Sequence, residues 1–178
     1  MSESPAATSA SAESESYEVR LNRLLLTTPG LTVATAESCT GGAVAHRITT
    51  VAGSSGYFLG GIVAYANEAK ERLLGVSREI LRQRGAVSAE CALAMAEGAR
   101  RAFNADIAVS TTGIAGPGGA TARKPVGLVY IAFASPLGTG CEEHHFSGDR
   151  LAVIHASTEA ALRLLVEQVT RNLLGKAD

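Results

Sequence analysis

Three segments of the chain hold residues capable of chemistry. The first is Thr35-Ala36-Glu37-Ser38-Cys39-Thr40-Gly41-Gly42. A hydroxyl at the start of a helix sits among unpaired N–H groups. There the helix dipole favours an alkoxide, a tetrahedral oxyanion or a phosphate. On this reading Ser38 is a nucleophile, and Cys39, Thr40, Gly41 and Gly42 offer backbone to an anion. The competing reading is that Ser38 or Thr40 only caps the helix. Cys39 is a second candidate, since a thiolate is favoured at a helix N-terminus. A lone cysteine beside a strand is more often a small buried hydrophobe. No histidine stands near to activate it: His46, His144, His145 and His155 fall on helix or strand faces expected at the surface.

The second segment is Tyr65-Ala66-Asn67-Glu68-Ala69-Lys70. With Asn67 as the helix cap, Lys70 falls in the first turn. The dipole disfavours a cation there, which depresses the lysine pKa and frees the neutral amine to act as a base. A Ser–Lys pair needs no histidine. The alternative is a solvated surface lysine, the usual place of that residue.

The third is Ser110-Thr111-Thr112-Gly113-Ile114-Ala115-Gly116-Pro117-Gly118-Gly119. Glycines such as Gly113, Gly116 and Gly118 let successive N–H groups face one concavity, an anion nest. The spacing fits neither a Walker A loop nor a dinucleotide fingerprint. The same composition also occurs in loops that bind nothing. Gly148-Asp149-Arg150 opens the last helix and brings a guanidinium suited to phosphate or carboxylate. Lys124 is a weaker candidate for that task.

The elements that must position these segments alternate. Helical spacing runs over Tyr17–Thr28 and is stopped by Pro29-Gly30. Leu31–Ala36 reads as a buried strand, and Ala43–Val51 as a helix. Tyr57–Ala66 is a second, glycine-rich strand. Short helices follow from Glu68 and over Ser77–Arg84. Ser88 caps a longer helix with Ala92, Met95, Ala96, Ala99 and Phe103 on one face. Ile107–Thr111 is a third strand, followed by a long loop to Pro125. Val126–Ala134 and Gly140–Phe146 form a hairpin about Pro136-Leu137-Gly138. The last helix covers Asp149–Leu174. Strands alternating with helices, plus one hairpin, indicate a single-domain α/β fold: a three-layer α/β/α sandwich with a mixed β-sheet. Ligands in such folds sit beyond the carboxyl ends of strands. Segments 37–42, 65–70 and 112–119 all follow strand ends, so they are expected to converge.

Composition narrows the function classes. The 178 residues suit one domain with a real core. Lys and Arg number 16 against 17 Asp and Glu, a formal charge of −1. That balance gives no general attraction to nucleic acid or an anionic membrane. The cysteines, Cys39, Cys91 and Cys141, are odd in number and far apart, which argues against a disulfide framework or a zinc site. Free thiols suit a cytoplasmic location. No apolar run approaches the ~20 residues of a membrane span. Residues 1–16 are rich in Ser, Ala and Glu and are expected to form a disordered tail before the domain over 17–178. The apolar last helix and the glycine-rich strand suit a homo-oligomer interface and a monomer core equally well.

Taken together, the segments resemble the CinA C-terminal-domain family. The matching stretches are Thr35 to Gly42, Gly53-Ser54-Ser55, Phe58 to Gly61, Tyr65 with Asn67 and Lys70, Leu74-Gly75-Val76, Gly85 to Ser88, Thr112 to Pro117, Lys124 to Gly127 and Gly148 to Arg150. They run in order across nearly the whole of 17–174. The resemblance implies a nicotinamide-nucleotide amidohydrolase, which turns nicotinamide mononucleotide and water into nicotinate mononucleotide and ammonia and so recycles pyridine nucleotide. It implies Ser38 as nucleophile and Lys70 as catalytic lysine. Thr112 and Tyr65 match residues that support proton transfer or binding, and Arg150 matches a phosphate-binding position. No metal or organic cofactor is expected, and the partner expected is the small-molecule substrate. Ala120 departs from the family pattern where a third consecutive glycine is common, and His155 where an arginine is frequent. The longer members carry an N-terminal nucleotide-hydrolysing domain, whose activity is not expected of this chain. The family name also implies a second reading, a binding module linked to competence or DNA damage. A third is an amidohydrolase acting on another small amide.

Overall fold

The computed structural model describes residues 15–28 and 30–175. The tail expected over 1–16 lies, apart from Glu15 and Ser16, outside the described residues. The elements follow in the order α1 (Tyr17–Thr27), β1 (Val33–Glu37), α2 (Ala43–Thr49), β2 (Phe58–Val63), α3 (Asn67–Leu74), α4 (Arg78–Gln83), α5 (Ala89–Phe103), β3 (Ile107–Gly113), β4 (Leu128–Ser135), β5 (Gly138–His145) and α6 (Arg150–Leu174). The sheet order is β2-β1-β3-β4-β5. β1 pairs parallel with both β2 and β3, whereas β3–β4 and β4–β5 are antiparallel. The sheet is therefore mixed, as expected.

The alternation of β1 explains the three layers. Val33 points into a core with Leu21 and Leu25 of α1, Val44 and Ile48 of α2, and Val153, Leu162 and Leu165 of α6. Ala34 and Ala36 point to the other face, against Cys91, Met95 and Ala99 of α5 and Leu74 of α3. Successive strand side chains face opposite ways, so each face carries its own helical layer. Small side chains on the second face let α5 lie close to the sheet. α3 in turn lies close to α5: a Cβ on Gly98 would stand 2.0 Å from Leu74 O. That approach sets the depth of α3, and with it the position of Lys70.

Several boundaries differ from the sequence reading, for local reasons. The hairpin pair Ser135–Gly138 closes directly around Pro136 and Leu137. Both strands thus run to the turn instead of stopping short of it. β3 extends through Thr112 and Gly113, which pair with Tyr130 and Val129. The cap of α3 also differs. Ala66 takes the extended N-cap conformation, and Asn67 is the first helical residue, exposed, with no side-chain cap bond. His144, expected at the surface, is half-buried and stacks on Phe146 at 5.1 Å between ring centroids.

β1, β2 and β3 run the same way, so Glu37, Val63 and Gly113 end at one edge of the sheet. The three segments of chemical interest leave from that edge.

Candidate active site

A cleft of about 200 Å³ opens at this edge, lined by Ser38, Cys39, Tyr65, Lys70, Ala86, Val87, Thr112, Gly113, Ala115 and Arg150. The three segments do converge there. Ser38 follows the last residue of β1 and is tied to β3 by its own N–H, which donates to Thr111 O at 3.0 Å. It is 8% exposed.

Lys70 crosses from the second turn of α3 to the same point. Its Nζ lies 3.0 Å from Ser38 Oγ, 2.7 Å from Ala64 O and 3.2 Å from Tyr65 O. The side chain is 1% exposed, and no carboxylate among the described residues forms an ion pair with it. A buried lysine normally has an acidic partner. Burial without one pushes the Lys70 pKa below the ordinary 10.5, partly offset by the nearby thiols of Cys91 and Cys39. Nζ donates to Ala64 O, Tyr65 O and Ser38 Oγ. An amine that has given up one proton keeps two N–H groups for the carbonyls and turns a lone pair to the Ser38 hydroxyl.

Glu37 changes the reading of the turn. It is 1% exposed, and its carboxylate accepts from the backbone N–H of Gly42 (2.9 Å), Val44 (3.1 Å) and Ala45 (2.8 Å) and from Thr40 Oγ1 (2.6 Å). Thr40 Oγ1 lies 2.8 Å from Thr111 Oγ1. Neither Ser38 nor Thr40 caps α2. Glu37 does, reaching forward from the strand end, and Gly42 adopts φ +102° to turn the chain into the helix. The first N–H groups of α2 are thus occupied, and neither the Thr40 hydroxyl nor the Gly42 N–H has a donor left for a ligand. The N–H of Gly41 goes to Ser38 O and that of Ala43 to Thr40 O. Among the described residues only Cys39 and Thr40 keep unpartnered backbone N–H groups in this turn.

Cys39 lines the cleft but is 5% exposed. Burial pushes its thiol up to about 12. It is a small buried hydrophobe, the second of the two sequence readings.

The rim is built by Arg150. Its guanidinium donates to Gly116 O at 2.8 Å and to Tyr65 Oη at 2.9 Å, joining the glycine-rich loop to the β2–α3 connection. Gly113 lines the cleft; Gly116 reaches it only through Arg150, and Gly118 is exposed outside it. Asn67 and Gly41 do not line it either. Lys124 does not line the cleft, and its Nζ donates to Arg84 O (2.7 Å) and Val87 O (2.6 Å). His155 lies outside the cleft, its side chain 73% exposed beside Glu159. Sequence reasoning missed Glu37 as a cap and Ala86 as a hydrogen-bonding wall. The Glu37 signal was present, a carboxylate five residues before a glycine-opened helix. Among the described residues no group of His, Cys, Asp and Glu could hold a metal ion, and no helix is long and apolar enough to cross a membrane.

A serine paired with a buried, acid-free lysine beyond the carboxyl ends of parallel strands defines a Ser–Lys protein of the three-layer α/β class. The chain belongs to the CinA family: the CinA C-terminal domain model matches residues 15–169. It is 55% identical over 133 residues to a CinA-like protein of Geobacter sulfurreducens, covering 75% of this chain and 32% of that protein. The chain thus spans about a third of the length of the curated relatives it matches. Among solved structures it is similar to the competence/damage inducible protein CihA of Agrobacterium tumefaciens (42% identity, TM-score 0.81, 89% of this chain and 98% of that chain). A CinA superfamily protein of Escherichia coli matches at 30% identity and TM-score 0.80, over 89% of this chain and 94% of that chain.

Proposed function

We propose that the chain hydrolyses the carboxamide of nicotinamide mononucleotide, giving nicotinate mononucleotide and ammonia. The observation that carries this reading is Lys70 Nζ, buried without an acid and 3.0 Å from Ser38 Oγ. An amine so placed removes the hydroxyl proton as Ser38 attacks the carboxamide carbon. The backbone N–H groups of Cys39 and Thr40 are the donors left for the oxyanion. The C–N bond breaks, and the proton held on Lys70 passes to the leaving nitrogen as ammonia. Water then attacks the acyl-enzyme, gives its proton to Lys70, and Ser38 is regenerated with that proton. The sum is amide plus water to acid plus ammonia, with no cofactor consumed. Arg150, with two of its five N–H donors used inside the protein, has the rest for the substrate phosphate.

The test is ammonia release from nicotinamide mononucleotide by the wild type beside Ser38→Ala. Loss of the nucleophile is expected to lower turnover by at least ~10³-fold in a folded variant. A folded wild type that releases no ammonia overturns the substrate, and leaves another small amide or a binding role.

A further inference from the structure

Thr112 lines the cleft beside Ser38, near the end of β3, and is 1% exposed. Its hydroxyl donates to Ala86 O at 2.7 Å. A hydroxyl has one proton to give. With that proton committed to a carbonyl, Thr112 Oγ1 presents only lone pairs to the cleft.

The loop that carries Ala86 is held from several sides. Lys124 Nζ donates to the carbonyls of Arg84 and Val87, which bracket Ala86. Ser88 Oγ donates to Gly85 O at 2.9 Å while accepting from Cys91 N at 3.2 Å, the N-cap of α5. Every carbonyl from Arg84 to Val87 thus has a donor, and that of Ala86 is aimed at Thr112. Lys124 has no ion-pair partner among the described residues, so both carbonyls hold an uncompensated cation.

We propose that Thr112 is the residue that reads the amide nitrogen of the substrate and excludes the acid product, and that Lys124 is the positioning residue that fixes its polarity through Ala86. The proposal rests on the amide-hydrolase reading of Ser38 and Lys70. A primary carboxamide brings two N–H donors; a carboxylate brings none. An acceptor whose own proton is engaged gains a hydrogen bond from the first and meets a lone pair of the second. Sites built to bond a substrate N–H discriminate strongly against analogues that lack it, because the buried polar group is then left unpaired. The same polarity lets Thr112 Oγ1 accept from the departing ammonia and leaves the newly formed acid without a donor at that wall.

The experiment separates binding from turnover. In the Ser38→Ala background, calorimetry measures the affinities of nicotinamide mononucleotide and nicotinate mononucleotide. The amide is expected to bind at least about tenfold tighter, the scale of one hydrogen bond gained and one acceptor left unpaired. Adding Thr112→Val, of the same shape without the acceptor, is expected to bring the ratio to near one, and Thr112→Ser to keep it. Lys70 is present in every arm, so a change in ratio belongs to Thr112. Lys124→Met is expected to lower the ratio in the same direction, with rescue by Lys124→Arg. If Thr112→Val does not fold, the Lys124 pair decides alone. An unchanged ratio in Thr112→Val or, failing that, in Lys124→Met overturns the proposal, as does equal binding of the two nucleotides to Ser38→Ala. If the wild type releases no ammonia while the ratio behaves as stated, the deamidase reading falls and the amide-reading wall stands.

Discussion

Lys70 Nζ stands 3.0 Å from Ser38 Oγ with two backbone carbonyls as its other neighbours and no carboxylate paired with it. The charge state of this amine therefore governs the pair. Burial lowers its pKa below 10.5, and the neutral form is the base. The fraction of neutral amine grows as pH rises through that lowered value. Deamidation is expected to fall as pH drops below it, about tenfold per pH unit, and to reach a plateau above. A kcat/KM profile measured from pH 5 upward checks this. A flat acidic limb would show that Lys70 does not titrate in the reacting enzyme.

The same shift makes Lys70 a cost to folding. A lysine whose pKa is lowered by folding binds its proton less well in the native state. The penalty is present in full below the folded-state value and disappears as pH climbs toward the unfolded 10.5. Lys70→Met removes the ionisable group, and the loss of donors to Ala64 O and Tyr65 O costs the same at every pH. The variant is expected to lose deamidation while its melting temperature, relative to wild type, is most favourable at low pH and falls behind as pH rises. Paired thermal melts across pH 5 to 10 read the trend, and a constant difference would place the shift elsewhere.

Much of this arrangement was legible in the residues. The strand–turn–helix around Ser38, the parallel strands that end together and the convergence of the three segments follow from apolar periodicity, glycine placement and the rule that α/β sites lie beyond strand ends. The pairing of Lys70 with Ser38 follows from the family resemblance, since spacing alone favours a solvated surface lysine. What was not legible is which polar groups are already spoken for. Helix periodicity puts free N–H groups at the start of α2, but it cannot show a carboxylate folding forward from the preceding strand to occupy them. Glu37 does so only because β1 ends beside that turn. Lys124 likewise reads as a free cation until the loop after α4 lays two carbonyls against it. Asn67 reads as a cap because its side chain suits one, yet the chain before it is extended one residue earlier.

Cys39 follows the nucleophile in sequence and lines the same cleft. Its thiol, pushed up to about 12 by burial, holds no thiolate at neutral pH. Cys39→Ala is expected to lose less than about 10²-fold in turnover, the scale of a small misplacement. Pretreatment with iodoacetamide at pH 7 is expected to leave activity in place. Inactivation that follows alkylation of Cys39 would return the thiol to candidacy.

Glu37 is the last test, because it separates the two parts of the turn. Its carboxylate is the acceptor for three backbone N–H groups and the Thr40 hydroxyl, all pointing inward from a helix with no other cap. A glutamine there keeps one oxygen and turns an NH2 toward donors, so at least one buried N–H loses its partner. Each such orphan costs about 1–3 kcal/mol, and each kcal/mol lowers the melting temperature of a chain this size by roughly 2–4 °C. Glu37→Gln is therefore expected to melt several degrees below wild type. Ser38 sits directly between Glu37 and Cys39, so a loosened turn also moves Oγ relative to Lys70 Nζ. The loss is expected in kcat more than in KM, since Arg150 and the rim are anchored on other elements. Differential scanning calorimetry with steady-state kinetics reads both effects. A Glu37→Gln protein that melts with the wild type would show that the cap does not hold the turn, and unchanged kcat in a destabilised one would show that Ser38 is fixed by its bond to Thr111 O alone.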